Sequence, residues 1–287
     1  MHTNLILLDA DFSTSFLLGK QLLSFCESLH IRYNHRMLRL MCVTAHPDDE
    51  AGGFGGTLLG YAERGVETSV VCLTPGQAAT NRGDSRNDQH LAELRRQEFA
   101  ASCEILKVSK PIILNYPDGQ LYRQELNRVV YDLTMRIREF RPQVVITFGG
   151  DGGVTGHPDH SMAGVFATLA FHWAGRPNRY ADQLKNGLEP HCAQKLYYGT
   201  ADFALPNRPP ITFAPQTAAI DITKYLETKI AAFKAHKTQA PLWPLFEENA
   251  RRRGNSELYH LIASVHAKAL HAETDLFAGI ENVSEPE

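Results

Sequence analysis

The chain has 287 residues, 43% of them hydrophobic, and a formal net charge of -3. That suits one large α/β domain or two small ones with a buried core, and the near-neutral charge lacks the basic footprint that neutralises phosphates along a duplex, so nucleic acid is not an expected partner. The five cysteines are scattered without CxxC pairs, which excludes a disulfide framework and a zinc ribbon. No apolar stretch reaches the roughly 20 residues of a membrane span, so the expectation is a soluble protein in a reducing cytoplasm.

Residues 1–36 read as an N-terminal appendage, because the chain could begin at Met37 and run straight into a first strand. The opening MHTNLILLDADFST lacks the basic n-region of a secretory signal, and Asp9 and Asp11 interrupt its apolar run. Leu17, Leu18, Leu22, Leu23, Phe25 and Leu29 fall near a helical stripe, as for a helix docked on the domain surface or on a second subunit. Homo-oligomerisation is therefore left open. Membrane-surface binding is disfavoured, since the polar face carries little positive charge.

From residue 37 to 287 the sequence reads as a single domain. Strands are predicted at 38–45, 67–73, 111–116 and 143–148, and helices at 57–64, 88–106, 124–140 and 159–173. This alternation is the rhythm of right-handed βα units, an α/β fold with a mostly parallel sheet and helices on both faces. Val144, Val145 and Ile146 make the kind of continuous apolar run found in strands buried on both faces. After Gly175 the chain becomes Pro- and Asn-rich, with a strand-like 195–198, and helices are predicted again at 224–236 and 257–271.

Two clusters carry the chemistry. Ala45-His46-Pro47-Asp48-Asp49-Glu50 lies at the C-terminal end of the first strand, and Gly156-His157-Pro158-Asp159-His160 follows the strand at 143–148 and a glycine-rich loop. In an open α/β sheet this edge binds ligands. Imidazoles and carboxylates brought together there form the mixed N/O donor set of Zn2+ and related ions, and three protein ligands plus a water make an open, catalytic site. Each proline fixes its own φ and restricts the histidine before it, which presets the donor. Amide hydrolysis also needs a base and an oxyanion donor. Asp48 and Asp49 cannot easily face one ion together, so one would ligate and the other act as base; spacing does not say which.

Several other residues have ordinary structural explanations. The glycines at 52, 53, 55 and 56 fit no phosphate-loop pattern and suit close packing. Arg95 and Glu98, three apart on a predicted helix, would make an ordinary surface ion pair, and His236 would suit a helix C-terminus. Two histidines and a carboxylate are also the facial triad of non-haem Fe(II) oxygenases, against which the β/α alternation argues. A sugar-binding protein without chemistry is the other alternative, although every group needed for turnover is present.

AHPDDE and GHPDH resemble the paired signature of the PIG-L/LmbE-like deacetylases. The likeness extends through residues 66–77, similar to the family's second strand and T-x-G-E turn with Gln77 in place of Glu, and Arg95-Arg96-Gln97-Glu98, similar to its R-x-x-E helix. It also takes in Tyr116-Pro117-Asp118-Gly119 and Lys229 with His236-Lys237-Thr238-Gln239, where the family has H-x-S-Q, and so covers residues 37–239. The resemblance implies an LmbE-like, Rossmann-like fold and zinc-dependent removal of acetyl from an N-acetylglucosamine-type sugar, releasing acetate and a free amine. It further implies His46, Asp49 and His160 as metal ligands, Asp48 as general base, and His157 as donor to the oxyanion or the leaving amine. Asp159 would orient His157, and Arg95 and Asp118 would contact sugar hydroxyls. The departures at Gln77 and Thr238 bear on substrate detail, and substrate choice would lie in loops after Gly175.

Overall fold

Apolar, β-branched runs separated by helix-period segments set the architecture. The computed structural model describes residues 37–205, 212–253, 255–266 and 272–280. Residues 1–36, with their expected helical stripe, lie outside the described residues.

Five strands, β1 (Arg39–Thr44), β2 (Glu67–Cys72), β3 (Lys110–Ile113), β4 (Val144–Phe148) and β5 (Lys195–Thr200), pair in parallel. β7 (Ser256–Ser264) adds antiparallel to β5, and β6 (Ala218–Asp221) pairs antiparallel with β7. The seven-stranded order is β3-β2-β1-β4-β5-β7-β6. β1, β2 and β4 are buried almost throughout, as expected of strands covered on both faces. The helices are α1 (Asp49–Glu63), α2 (Asp88–Ile105), α3 (Leu126–Phe140), α4 (Pro158–Ala174), α5 (Ala181–Lys185), α6 (Leu226–Lys234) and α7 (Trp243–Arg253). α3 packs on α4, and α6 packs on α1 and α2.

The chain winds outward from β1 through β2 to β3, then returns past β1 to β4, whose Val144, Val145 and Ile146 pair with Leu40, Met41 and Cys42. Strand order therefore reverses between β1 and β4, and the crevice opens beyond their C-terminal ends. Both His-Pro-Asp loops leave from these two ends. α4 can close on β4 because residue 164 is glycine: a Cβ there would lie 2.3 Å from the Phe148 carbonyl oxygen.

Three features differ from the sequence expectation. α1 starts at Asp49 rather than at residue 57, with Asp49 and Glu50 in its first turn, where acidic groups complement the helix dipole. Its glycines do not delay the helix; they let α6 and its approach come close, since a Cβ on Gly56 would sit 2.6 Å from Ile222. The helix predicted at 257–271 is instead strand β7 over Ser256–Ser264, while residues 267–271 lie outside the described residues. Leu258, Leu261 and Ile262 suit either period, and pairing with the free edge of β5 overrides the local pattern. β6, α5 and α7 were not foreseen.

Candidate functional site

The turn out of β1 folds back on itself through Asp49. Its Oδ2 accepts the N–H groups of His46 and Ala45 at 2.8 and 3.1 Å, so the carboxylate is fixed by backbone and Oδ1 is presented to the crevice. There Oδ1 lies 3.1 Å from His160 Nε2. His46 Nδ1 lies 3.3 Å from the same Nε2 and 3.6 Å from Asp49 Oδ2.

What holds the two rings decides which nitrogens carry lone pairs. His160 Nδ1 donates to the Gly152 carbonyl at 3.1 Å, beside Thr155 Oγ1, and the ring stacks on Phe148 with centroids 4.1 Å apart. Nε2 is then an acceptor. His46 Nε2 faces Asp118 Oδ1 at 3.0 Å and Asp159 Oδ2 at 3.4 Å, which leaves its Nδ1 lone pair toward Asp49 and His160. In a tetrahedral zinc site with bonds of roughly 2.0–2.1 Å the donor atoms stand about 3.3 Å apart, close to the 3.1 and 3.3 Å that separate His160 Nε2 from Asp49 Oδ1 and His46 Nδ1. With both rings neutral, two lone pairs and a carboxylate oxygen converge, an arrangement that accepts a cation.

A proton competes with a metal ion for this point. Burial alone would lower the His46 imidazole, but its hydrogen bonds to Asp118, Asp159 and Asp49 raise it well above its ordinary value. Burial would raise Asp49, yet the charge and hydrogen bond of His160, joined by those of His46, hold it well below the carboxylate range. Two other sets of three, His46 with His157 and His160, and His46 with Asp118 and Asp159, have donor atoms that all lie within 4.8 Å of one another. Asp118 and Asp159 face the outward nitrogen of His46, however, and act on the ring from behind.

Asp48 is the N-cap of α1 but makes no side-chain cap bond. Its backbone sits at φ 109°, a region that costs a non-glycine residue on the order of 1–3 kcal/mol and that concentrates at functional sites. Its Oδ2 accepts from Arg95 at 2.9 Å. Burial pushes the carboxyl up, Arg95 pulls it back, Asp49 repels, and the result is a pKa raised to about 6.

His157 caps α4: its Nδ1 accepts the Asp159 N–H at 3.1 Å, with Pro158 at the first helical position. The neutral ring then carries its proton on Nε2, available to a ligand. Burial, with His46 and His160 nearby, lowers the pKa of His157 and favours that neutral form.

The structure thus gathers His46, Asp48, Asp49, His157, Asp159 and His160 at one place, with three differences from expectation. The Asp159 carboxylate does not engage His157. It faces His46 and accepts the Gly119 and Leu121 N–H groups at 2.7 and 3.1 Å, because the helix start presents its N–H, not its side chain, to His157. Asp118 is buried and fully engaged, Oδ1 with His46 and Oδ2 with the Ala78 N–H at 2.8 Å. Arg95, 3% exposed, holds Asp48 and the Pro47 and Gly76 carbonyls. Arg95 makes no surface pair with Glu98, which instead accepts from the Thr238 N–H and hydroxyl. The sequence assigns no chemical role to the Gly152 carbonyl, which orients His160, or to Glu50 and Ser102 behind Asp48, and His236, expected as a helix C-terminal histidine, stands just past the end of α6 but is buried against Glu50. The only signal was that Glu50 and His236 stand inside the quoted motifs.

Residues 41–171 match the family described as PIG-L: GlcNAc-PI de-N-acetylase. Diacetylchitobiose deacetylase from Thermococcus kodakarensis is 32% identical, over 74% of this chain and 75% of its own length. 1D-myo-inositol 2-acetamido-2-deoxy-alpha-D-glucopyranoside deacetylase 2 from Catenulispora acidiphila is 31% identical, over 84% of this chain and 97% of its own. The solved structure of N,N'-diacetylchitobiose deacetylase from Pyrococcus horikoshii, complexed with its inhibitor MPG, has a TM-score of 0.68 at 26% identity, covering 96% of this chain and 97% of that one. Identity at this level over three quarters or more of each relative makes the chain a member of the PIG-L/LmbE-like deacetylase family.

Proposed function

We propose that this chain is a zinc-type N-deacetylase that hydrolyses the acetamido group of an N-acetylglucosamine-type sugar to acetate and a free amine. The observation that carries the reading is the convergence of His46 Nδ1, Asp49 Oδ1 and His160 Nε2 next to an Asp48 carboxylate that Arg95 holds at 2.9 Å. A divalent ion held by those three donors would polarise the acetyl carbonyl and acidify a water. Asp48 takes the proton of the attacking water, a role for which a pKa near the working pH is suited. That proton is also the one the departing amine needs. His157 donates its Nε2–H to the oxygen on which negative charge develops. Asp159 and Asp118 fix the tautomer and orientation of His46 and raise its basicity, and Arg95 holds Asp48 in place; in this reading neither Arg95 nor Asp118 is spent on sugar hydroxyls.

Among the described residues no helix is long and apolar enough to cross a membrane, and Cys42, Cys72, Cys103 and Cys192 are free thiols, which suits the reducing cytoplasm as its compartment. The test is acetate release from a panel of N-acetylglucosamine conjugates by metal-free protein to which zinc, iron, manganese or cobalt is restored one at a time. Zinc is expected to restore release. Protein that frees no acetate with any of the four ions, from any conjugate, removes the proposal.

A further inference from the structure

Glu50, Ser102 and His236 are all completely buried, and the scheme above uses none of them. The Glu50 carboxylate joins them: Oε1 accepts the Ser102 hydroxyl at 2.6 Å and faces His236 Nε2 at 2.7 Å, while Oε2 accepts the N–H of Asp48 at 2.9 Å. His236 Nδ1 meets no polar partner among the described residues, so the ring directs its hydrogen bonding at Glu50 alone. A carboxylate taken wholly out of water is costly even when paired.

Glu50 resembles half of a capping box, in which an acidic side chain reaches back to the N-cap N–H, but it stands at the second helical position where the box uses the third. The reciprocal half is missing, because the Asp48 side chain makes no cap bond and turns to Arg95. Nor does an ordinary cap need a buried histidine behind it. What the arrangement does do is complete the set of bonds around a strained residue. The Asp48 carbonyl accepts from Gly52 N–H at 2.8 Å, its Oδ2 from Arg95 at 2.9 Å, and its N–H is held by Glu50. At φ 109° the easiest relaxation is rotation of the preceding peptide toward negative φ. That rotation would carry the N–H away from Glu50 and swing the carboxylate.

We propose that His236, Ser102 and Glu50 are positioning residues which, through the Asp48 N–H, lock the strained backbone and so aim the Asp48 carboxylate; this rests on reading Asp48 as the general base. Glu50→Gln should lower kcat by up to about 10²-fold, the scale of a misplacement near 1 Å, with KM and metal content unchanged. Ser102→Ala, which takes one hydrogen bond from Glu50, should show the same pattern more weakly, and it decides the matter if Glu50→Gln does not fold.

The discriminating measurement repeats both changes in the Asp48→Asn background. If Glu50 acts through Asp48, neither change lowers the residual rate further by more than about 2-fold, the limit of ordinary additivity, although each still lowers Tm. Equal losses of kcat in both backgrounds would overturn the proposal and leave Asp48 as the base. Unchanged kcat in folded, metal-loaded Glu50→Gln and Ser102→Ala would overturn it as well. Wild-type turnover in Asp48→Asn alone would show instead that the base assignment is wrong, and would remove the relay with it.

Discussion

His157 and Asp49 both face the centre, yet the protein uses their hydrogen bonds differently, and single substitutions separate them. Asp49 Oδ2 is tied to backbone and Oδ1 faces His160, so Asp49→Ala or His160→Ala should strip the ion, with activity partly recovered in excess metal. His157 gives Nδ1 to a helix N–H and keeps Nε2–H for the reaction. His157→Ala should therefore retain metal, as elemental analysis would show, while kcat falls about 10²–10³-fold. Asp118 supplies a sharper contrast. With both oxygens engaged inside the protein, Asp118→Asn should weaken metal binding about 10–100-fold and leave KM at saturating metal unchanged. A raised KM with normal metal affinity would return Asp118 to the sugar.

The elements that carry these residues are set by close approach as much as by propensity. α1 runs from the strained Asp48 past the turn that precedes α6, and residue 56 has room for no side chain beyond hydrogen: an added Cβ would meet three Ile222 atoms at 2.6–2.7 Å. Glycine to alanine in a helix ordinarily gains about 0.5–1 kcal/mol, but overpacking a fixed contact costs about 1–3 kcal/mol. Overlap this deep should win. Gly56→Ala is expected to lower the urea midpoint without changing the slope, and a stabilised variant would mean that Ile222 moves aside. α2 tests a simpler device. Asn87 caps it by accepting from His90 N–H at 2.8 Å, so Asn87→Ala should cost about 1 kcal/mol.

At the scale of the molecule, the segment after β7 is clasped to α1. Asp275 accepts from Tyr61 hydroxyl at 2.8 Å and Arg64 at 2.7 Å, and Tyr61 in turn accepts from Leu276 N–H at 2.7 Å. Burial would raise the Asp275 carboxyl, but Arg64 and the Phe277 N–H hold it below its ordinary value of 3.8. A depressed carboxylate stabilises the fold above its unfolded pKa and loses that contribution as pH falls through its folded one. Asp275→Asn should lower Tm at pH 7, and its difference from wild type should shrink as pH drops below 3.8. A pH-independent difference in thermal denaturation would point to shape rather than charge. Every residue of the proposed site lies within the unit Met37–Glu287, so a chain beginning at Met37 is expected to keep kcat/KM for acetate release.

The βα rhythm and the two His-Pro-Asp units were legible in sequence because they are local: buried parallel strands need continuous apolar runs, and proline and glycine mark the turns after them. Those turns end β1 and β4, and strand order placed them together. The sequence by itself therefore determined the sheet core, the edge of it that is used, and the residue types offered there. It could not decide the state of residues 256–264, whose apolar spacing suits two periods until β5 offers an edge. Nor could it say that Asp118 and Asp159 stand behind His46, or that Glu50 meets a histidine 186 positions away. Such partners are chosen by packing between distant segments, and tertiary structure alone decides which carboxylate faces the crevice and which is buried beneath it.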